Sequence, residues 1–574
     1  MQTARDVADV LEEIETLLLL HGAEEFRARA YGRAARLLET STLEVGEIVP
    51  AVRRGELRGI GGGLAEEIEE IVVAGVSRQL EDLLAGTPPG LLDIMTIRGL
   101  GPKKVRALWT GLGIESLEQL EAAARAGQIA GAPGFGAKSQ ENILAGIEEL
   151  RRRAGRLRID AATELGERLL ARLESIGNCS VRATGLLRRG AEEYDRLEFL
   201  AVGLTSAQLL ERIGSARVLA DTGLGQEGAI EGTTDEMVRV QIVCAEPERA
   251  AVVDHRCSCS DAYRAAFEAR ARERGVEIGD DGVVTLEGVE RPVASEEELY
   301  RLAGLPLIPV EMREGAADLE EWSGEEPPVE EEQFMGMMHV HSTWSDGRLT
   351  IREVVEVVRA RGYRWMLLCD HSKAAFYANG LDERRLEEQG REIDAINAEL
   401  DPAEFRVLKG IECDVLADGA MDFSDDVLAS LDAVVASIHS NFALPRERQT
   451  ERLIRAIENP YVTMLGHPTG RLILKREGYN PDLEAVMVAA ARAGKAIEIN
   501  CNPWRLDLSW HHARRARSLG LTLAVNPDAH TLRDFDFMRH GVTMARKAGL
   551  SSKNLLNSLD ADTFLAWVRG TRGG

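Results

Sequence analysis

The chain has no framework of cysteines. Its 7 thiols in 574 residues follow no pairing pattern, which fits a reducing compartment better than a disulfide-stapled secreted fold. Cys257-x-Cys259 has the spacing of half a zinc site, but no second pair follows it, and we read it as coincidence. Basic charge is not in excess either: 69 Lys and Arg against 95 Asp and Glu leave a formal −26. That argues against a nonspecific basic coat for nucleic acid, while leaving room for local contacts through backbone N–H groups or single lysines. Long apolar runs are missing, all falling far short of the roughly 20 residues a membrane helix needs. The start is amphipathic and acidic, not basic and then apolar. A soluble, cytoplasmic protein with no membrane partner is expected, and its length predicts several domains with ample core.

What the chain does have is concentrated in its last 240 positions. There lie His339-x-His341, Asp346, Asp370-His371, Gly410-Ile411-Glu412, His439, Gly466-His467-Pro468 and Asp528-x-His530, together holding 6 of the 11 histidines. Apolar runs precede nearly every one: 366–368, 407–411, 434–438, 462–465 and 523–525. With 496–499 and the run ending at His341, these predict seven short buried strands separated by helical stretches such as 351–361 and 483–493. A parallel barrel gathers the C-terminal ends of its strands on one face, where catalytic residues of that architecture sit. Imidazole and carboxylate suit zinc, manganese or iron. His-x-His on a strand aims both rings to one side, because side-chain direction there has period two. Nine ligands, namely His339, His341, Asp346, His371, Glu412, His439, His467, Asp528 and His530, are too many for one ion and suit two or three. Any one of these histidines alone reads as a satisfied buried side chain; the joint pattern at strand ends does not.

These motifs resemble the PHP (polymerase and histidinol phosphatase) domain, as does Asn502-Pro503-Trp504-Arg505-Leu506-Asp507. The resemblance implies a (β/α)7 barrel over 335–574 and a site for Mn²⁺ or Zn²⁺. By that resemblance His339, His341, Glu412 and Asp528 hold one ion, Glu412, His439 and His467 a second, and Asp346, His371 and His530 a third.

The front of the chain reads as helices punctuated by glycine turns: Gly59-Ile60-Gly61, Gly99-Leu100-Gly101-Pro102-Lys103-Lys104 and Gly134-Phe135-Gly136-Ala137-Lys138. Such turns let backbone N–H groups approach a phosphate, and the helix that follows favours the anion. They resemble helix-hairpin-helix elements, which grip a DNA backbone without reading bases. Phe26-Arg27-Ala28-Arg29-Ala30-Tyr31, Gly185-Leu186-Leu187-Arg188-Arg189-Gly190 and the stretch Leu305 to Glu314 resemble, in order, the N-terminal region, the Gly-Ser-x-Arg-Arg-Gly loop and the thumb end of family X DNA polymerases. With the PHP part, the chain resembles the bacterial members of that family nearly throughout. The fold expected is multidomain: helical helix-hairpin-helix domains over 1–88 and 89–155, an α+β nucleotidyltransferase-like palm over 156–248 and thumb over 249–318, an acidic linker over 319–334, then the barrel.

The departures are informative. A nucleotidyl-transfer palm needs three carboxylates, two of them as Asp-x-Asp after the Arg-Arg-Gly loop and one on a neighbouring strand. Those positions fall on Arg196, Glu198 and Arg239. An arginine there sets a fixed positive charge where a cation must bind, and like charges about 4 Å apart cost roughly 4 kcal/mol even at an effective dielectric of about 20. Glu193-x-Asp195 offers carboxylates in another register but precedes the strand. The stretch that grips nucleotide in the family aligns with Asp254 to Cys259 and is unrecognisable. The lysine of lyase-competent relatives aligns with Glu67, which cannot form an imine with a sugar aldehyde.

The expected function is therefore metal-dependent phosphodiester hydrolysis, a 3′-to-5′ exonuclease on gapped or 3′-end-bearing DNA, with polymerase activity lost. The metals supply the nucleophile. Lys373, Arg471 and Arg505 are candidates to hold substrate phosphates; the DNA contacts expected are Gly59, Gly61, Gly99, Gly101, Lys103, Lys104, Gly134, Gly136 and Lys138. A monomer is expected. The alternatives are a working gap-filling polymerase, a phosphatase for a small phosphomonoester, and a DNA-binding scaffold whose metals only brace the fold.

Overall fold

A computed structural model describes residues 4–39, 45–57, 60–97, 99–153 and 155–572; Gly59 lies outside them. The chain divides into two compact units, residues 1–154 and 155–574.

The first unit is helical. Val7, Leu11, Ile14 and Leu18 recur along helix Ala4–His21 and bury against Ala28, Tyr31, Ala35 and Leu38 of helix Glu25–Glu39. A second core holds Ile94, Val105, Leu108, Leu120, Ile143 and Ile147. Pro102 opens helix Pro102–Leu112 at a position where its missing N–H costs nothing. Gly99 and Gly134, at φ +86° and +83°, occupy backbone conformations that side chains rarely adopt.

The second unit begins with a five-stranded mixed sheet in which Arg196–Val202 pairs antiparallel with Ser180–Thr184 and parallel with Arg239–Ala245. A small region of helices Ala250–Cys257, Asp261–Arg272 and Glu296–Ala303 with a three-stranded antiparallel sheet follows. The acidic stretch after it is pinned to the barrel: Val329 is buried, its N–H donating to the Leu550 carbonyl at 3.1 Å, and Glu326 pairs with Lys553.

The expected seven parallel strands are present, in sequential order: Gly336–Val340, Trp365–Leu368, Arg406–Asp414, Ala433–Ser437, Met464–Leu465, Ala496–Asn500 and Leu523–Asn526. Their apolar residues are buried on both faces, as parallel strands under helices require. A bridge between Val340 and Ala529, with the His341 N–H 2.9 Å from the Ala529 carbonyl, brings the last strand back to the first. The palm and the barrel share one continuous apolar core. Salt bridges cross between them, Arg471 to Glu192 at 2.8 Å and Arg533 to Glu164 at 3.3 Å. The stretch before the linker is tied to both, Glu314 to Arg189 at 3.1 Å and Glu311 to Arg546 at 2.7 Å.

Candidate metal centre and the altered palm

All nine residues picked out as ligands meet at the C-terminal ends of the barrel strands. His341, Asp346, His371 and His530 bring ligand atoms within 4.8 Å of one another, and so do His339 with His341 and Asp528, His339 with Glu412 and His467, and His371 with Glu412 and His439. Glu412 is the hub. Its Oε1 lies 2.9 Å from His467 Nε2, 3.2 Å from His339 Nε2 and 3.3 Å from His439 Nε2. Asp528 Oδ1 stands 3.2 Å from His341 Nε2 and 3.4 Å from His339 Nε2. On the outer side, Asp346 Oδ1 stands 3.4 Å from His530 Nε2 and 3.6 Å from His371 Nε2.

Three of these ligands hold backbone that non-glycine residues avoid: φ is +57° at His339, +23° at His467 and +53° at Asp528. Each such residue costs on the order of 1–3 kcal/mol and persists only where its surroundings impose it. The donor set also fits a cation. His339 Nε2, both ring nitrogens of His341 and His467 Nδ1 are buried without a hydrogen-bond partner, and His371 Nδ1 meets only the carboxylate of Glu412, at 2.8 Å. A buried polar group left unmade costs about 1–3 kcal/mol, so a protein with no use for these atoms would not collect them in one place. Imidazole and carboxylate are the donors that zinc and manganese take.

Charge inside the cluster is unevenly distributed. Burial and then the neighbouring His530 and His371 push the His341 pKa down to about 3. Burial opposes protonation of His439 too, but Glu412 and Asp414 outweigh it and raise the pKa to about 10. His339 also ends well above its usual range, because Glu498, Asp528 and Glu412 overcome its burial.

Three supporting residues, Glu498, Asn500 and Asn526, escaped the sequence reading as functional positions, and a fourth, Asp370, entered it only within the motif of His371. Glu498 accepts the His339 Nδ1 proton at 2.5 Å and the His467 backbone N–H at 2.8 Å, leaving His339 Nε2 to face the cluster. Asn526 and Asn500 donate to Glu498 at 2.9 and 3.1 Å. Asp370 accepts from the Ser342 N–H and hydroxyl at 2.8 and 2.6 Å, and so fixes the loop that carries Asp346. The signal for Glu498 was present: a carboxylate inside the otherwise apolar run 496–499 has to be paired.

The three candidates for phosphate contact are placed differently. Arg505 reaches the cluster, its Nε 3.7 Å from Asp528 Oδ2. Lys373 pairs with Glu383 and covers Phe423. Arg471 is committed elsewhere: it pairs with Glu192 of the palm and donates to the carbonyls of Arg505 (2.7 Å) and Leu506. Tyr377, on the loop after His371, lies within the field of Asp414, Glu412 and Asp346; burial first, then those carboxylates, push its phenol above the ordinary range.

In the palm, Arg196 and Arg239 are direct partners across the parallel strand pair, and Glu198 faces Gln241. Glu198 is spent locally, one oxygen on Arg196 Nε at 3.1 Å and the other on the Leu186 N–H at 2.9 Å. The carboxylates in the shifted register are spent as well: Asp195 holds Arg239 at 2.7 Å and Glu193 holds Arg156 at 3.0 Å. Arg188 of the loop meets Glu296 at 2.7 Å and Asp254 at 3.1 Å. Thr184 and Ser258 hydroxyls join at 2.8 Å. Polar side chains of the region that resemblance assigns to nucleotide are thus bonded to one another, while a cavity of about 260 Å³ stays open beside Arg196 and Arg239.

In the first unit, Gly61 and Gly101 precede helices Gly62–Ala74 and Pro102–Leu112 without any side-chain cap. A Cβ at Gly61, Gly99, Gly101, Gly134 or Gly136 would meet nothing within 4 Å, so these backbones are open to approach. Lys103 pairs with Glu25 at 2.9 Å, Lys104 donates to the Gly99 carbonyl at 3.0 Å, and Lys138 meets Glu141 at 3.3 Å. Glu67 is buried and accepts from the Ser77 hydroxyl. No helix among the described residues is long and apolar enough to cross a membrane.

Comparison with known proteins agrees with this arrangement. Residues 2–77 match the helix-hairpin-helix domain family, and residues 91–149 match the SAM-like helix-hairpin-helix tandem family. A probable phosphatase of Thermoanaerobacter sp. (strain X514) is 32% identical over 26% of this chain and 64% of its own length. A probable phosphatase of Caldanaerobacter subterraneus is 28% identical over 37% of this chain and 90% of its own. The DNA polymerase/3′-5′ exonuclease PolX of Bacillus subtilis (strain 168) is 36% identical over 98% of this chain and 99% of its own. A match of that extent, end to end through the helix-hairpin-helix region, the palm and the barrel, means that the chain belongs to the PolX family.

Proposed function

We propose that the barrel hydrolyses phosphodiester bonds as a metal-dependent 3′-to-5′ exonuclease on DNA, and that the palm no longer synthesises. The observation that carries this reading is the convergence of nine ligand residues around buried, unpartnered donor atoms. His339, His341, Asp346, His371, Glu412, His439, His467, Asp528 and His530 would hold two or three ions of Mn²⁺ or Zn²⁺. Such ions, when bound, lower the pKa of a coordinated water and neutralise charge that builds on phosphoryl oxygens. The protein's part is placement. Glu498 fixes the tautomer of His339, Asp370 fixes the loop of Asp346, and Arg505 sets a guanidinium beside Asp528, where a substrate phosphate can be gripped in bidentate fashion.

The uncapped helix N-termini after the glycine turns, with Lys103, Lys104 and Lys138 beside them, suit a DNA backbone. This assigns 1–88 and 89–155 to DNA holding, 156–248 and 249–318 to a palm and thumb retained as scaffold, 319–334 to the connection, and 335–574 to hydrolysis. The relatives named probable phosphatases favour a second reading, a small phosphomonoester as substrate; two helix-hairpin-helix matches weigh against it. The test uses purified protein, Mn²⁺ and a labelled duplex with a recessed 3′ end. The primer should shorten, and added deoxynucleotides should not lengthen it. Extension would refute the loss of synthesis, and an intact primer would refute the exonuclease.

A further inference from the structure

The barrel portion carries seven exposed large apolar side chains, and six of them, Phe376, Tyr377, Leu416, Phe442, Trp504 and Leu532, sit on loops at the ligand end of the strands. Single exposed apolar residues are ordinary, but a set gathered at one mouth marks a contact surface. Phe376 is 85% exposed and Tyr377 61%, yet their loop is not loose. It is closed by the Leu381 N–H on the His371 carbonyl at 2.8 Å and by the Ser372 N–H on the Glu412 carbonyl at 3.0 Å. The Ala374 N–H also binds Asp422 at 2.7 Å, and Arg385 binds the Asn379 and Gly380 carbonyls. A stiff turn thus displays two aromatic rings to water, 6.0 Å apart and edge to face, on the loop that follows the ligand His371.

Cations stand over the two other aromatic groups on this rim, Arg158 among them at 3.5 Å from the Trp504 centroid. Arg476 lies 4.7 Å from the Phe442 ring centroid, Lys475 lies 5.5 Å from that of Trp504, and Arg505 stands beside Asp528. Aromatic faces beside positive charge suit a strand that is anionic along its backbone and flat at its bases, because every base offers a π-face for stacking. An apolar protein partner would have no need of those cations.

We propose that Phe376 and Tyr377 form a stacking wall that seats the bases of the last nucleotides of a DNA strand while their phosphates enter the metal cluster. The inference rests on the exonuclease reading. It adds that the barrel mouth itself recognises bases without distinguishing them.

The test compares wild type with Phe376→Ala/Tyr377→Ala, both full length, on a tetranucleotide and on the same tetranucleotide with its two 3′-terminal bases replaced by abasic residues. On the intact substrate the double variant should raise KM about tenfold with kcat within about twofold. On the abasic one, wild type and variant should be equal. Tyr377→Phe, which keeps the ring, should behave as wild type. An unchanged KM on the intact tetranucleotide, or an equal loss on both substrates, would overturn the wall. Should wild type cut neither substrate, the exonuclease reading fails; anisotropy of the labelled tetranucleotides in Ca²⁺ then decides the wall separately. Base-dependent binding that the double variant lacks would sustain it, and base-independent binding would overturn it.

Discussion

The palm and the barrel arrange charge in opposite ways, the one pairing it at an exposed strand end and the other gathering it in a buried cluster. In the barrel, Glu412, Asp346 and Asp528 converge with six imidazoles, several of whose buried ring nitrogens have no hydrogen-bond partner, so the cluster presents donors suited to cations. In the palm, the positions that resemblance assigns to magnesium ligands are paired locally: Arg196 with Glu198, and Arg239 with the adjoining Asp195. In each pair a partly exposed guanidinium neutralises the carboxylate. Closeness of charged groups thus does not identify a metal site. Unsatisfied donors do.

The sharpest way to break the contrast is to remove ligands. His339→Ala with Asp528→Ala takes away two donors that between them serve two of the four ligand groups. Primer shortening should fall at least about 100-fold, and metal content measured on the purified protein should fall with it. Activity that survived would mean that hydrolysis resides elsewhere. Next in size is Glu498→Gln, which keeps the shape but weakens the hold on the His339 Nδ1 proton. Loss of such a partner costs about 10–100-fold in metal affinity or activity, and titration with Mn²⁺ should show a raised requirement with little change in folding.

A third prediction concerns what the palm still does. Lys547, nearly inaccessible at 2% exposure, pairs with Glu314, which also holds Arg189. Glu314→Gln leaves two cations without their counter-ion and should cost about 3 kcal/mol of stability, read as a lower midpoint in urea with unchanged slope. Burial raises the Glu314 pKa, but Lys547 and Arg189 more than offset it, so the carboxyl titrates below its ordinary range. The support it gives is thus present at neutral pH and is lost as the pH falls through that lowered value; acid should destabilise the wild type and leave the variant less affected. Smaller still is the effect of Lys103→Ala with Lys138→Ala. Each lysine is exposed and already paired, so duplex binding should weaken only about threefold, the salt dependence should flatten by about one ion per lysine, and cleavage of a small phosphodiester should not change.

Much of this was legible before any coordinates. The strands of the barrel announce themselves as apolar runs ending in ligands, because a strand buried on both faces has no polar alternation to blur it. The nine ligand positions stand at those ends for the same reason. Glu498 was harder to see. It belongs to the same kind of run but points inward at a histidine, and a single sequence does not say which of two alternating directions is the barrel interior. Arg471 misled for a different reason. Its partner Glu192 lies 279 positions away, and no local pattern foretells that an arginine near a histidine ligand will be drawn into an interface. The positive φ at His339, His467 and Asp528 was invisible too, since nothing in a residue's type reveals a conformation that only its surroundings impose.

The smallest expected effect is also the most discriminating. Arg196→Asp with Arg239→Asp returns carboxylates to the two palm positions held by arginine. If the palm is idle, shortening of the primer should stay within about twofold of wild type, because neither residue touches the cluster or the loops that carry it. Primer extension should stay absent as well. Arg188 remains tied to Glu296 and Asp254, and Thr184 to Ser258, so these side chains would still not be free to hold a nucleotide even with a cation restored. Extension gained by the double variant would show that two charges alone had silenced the palm. A large loss of shortening would show the palm centre to be coupled to hydrolysis, and the division of labour between the two regions would have to be redrawn.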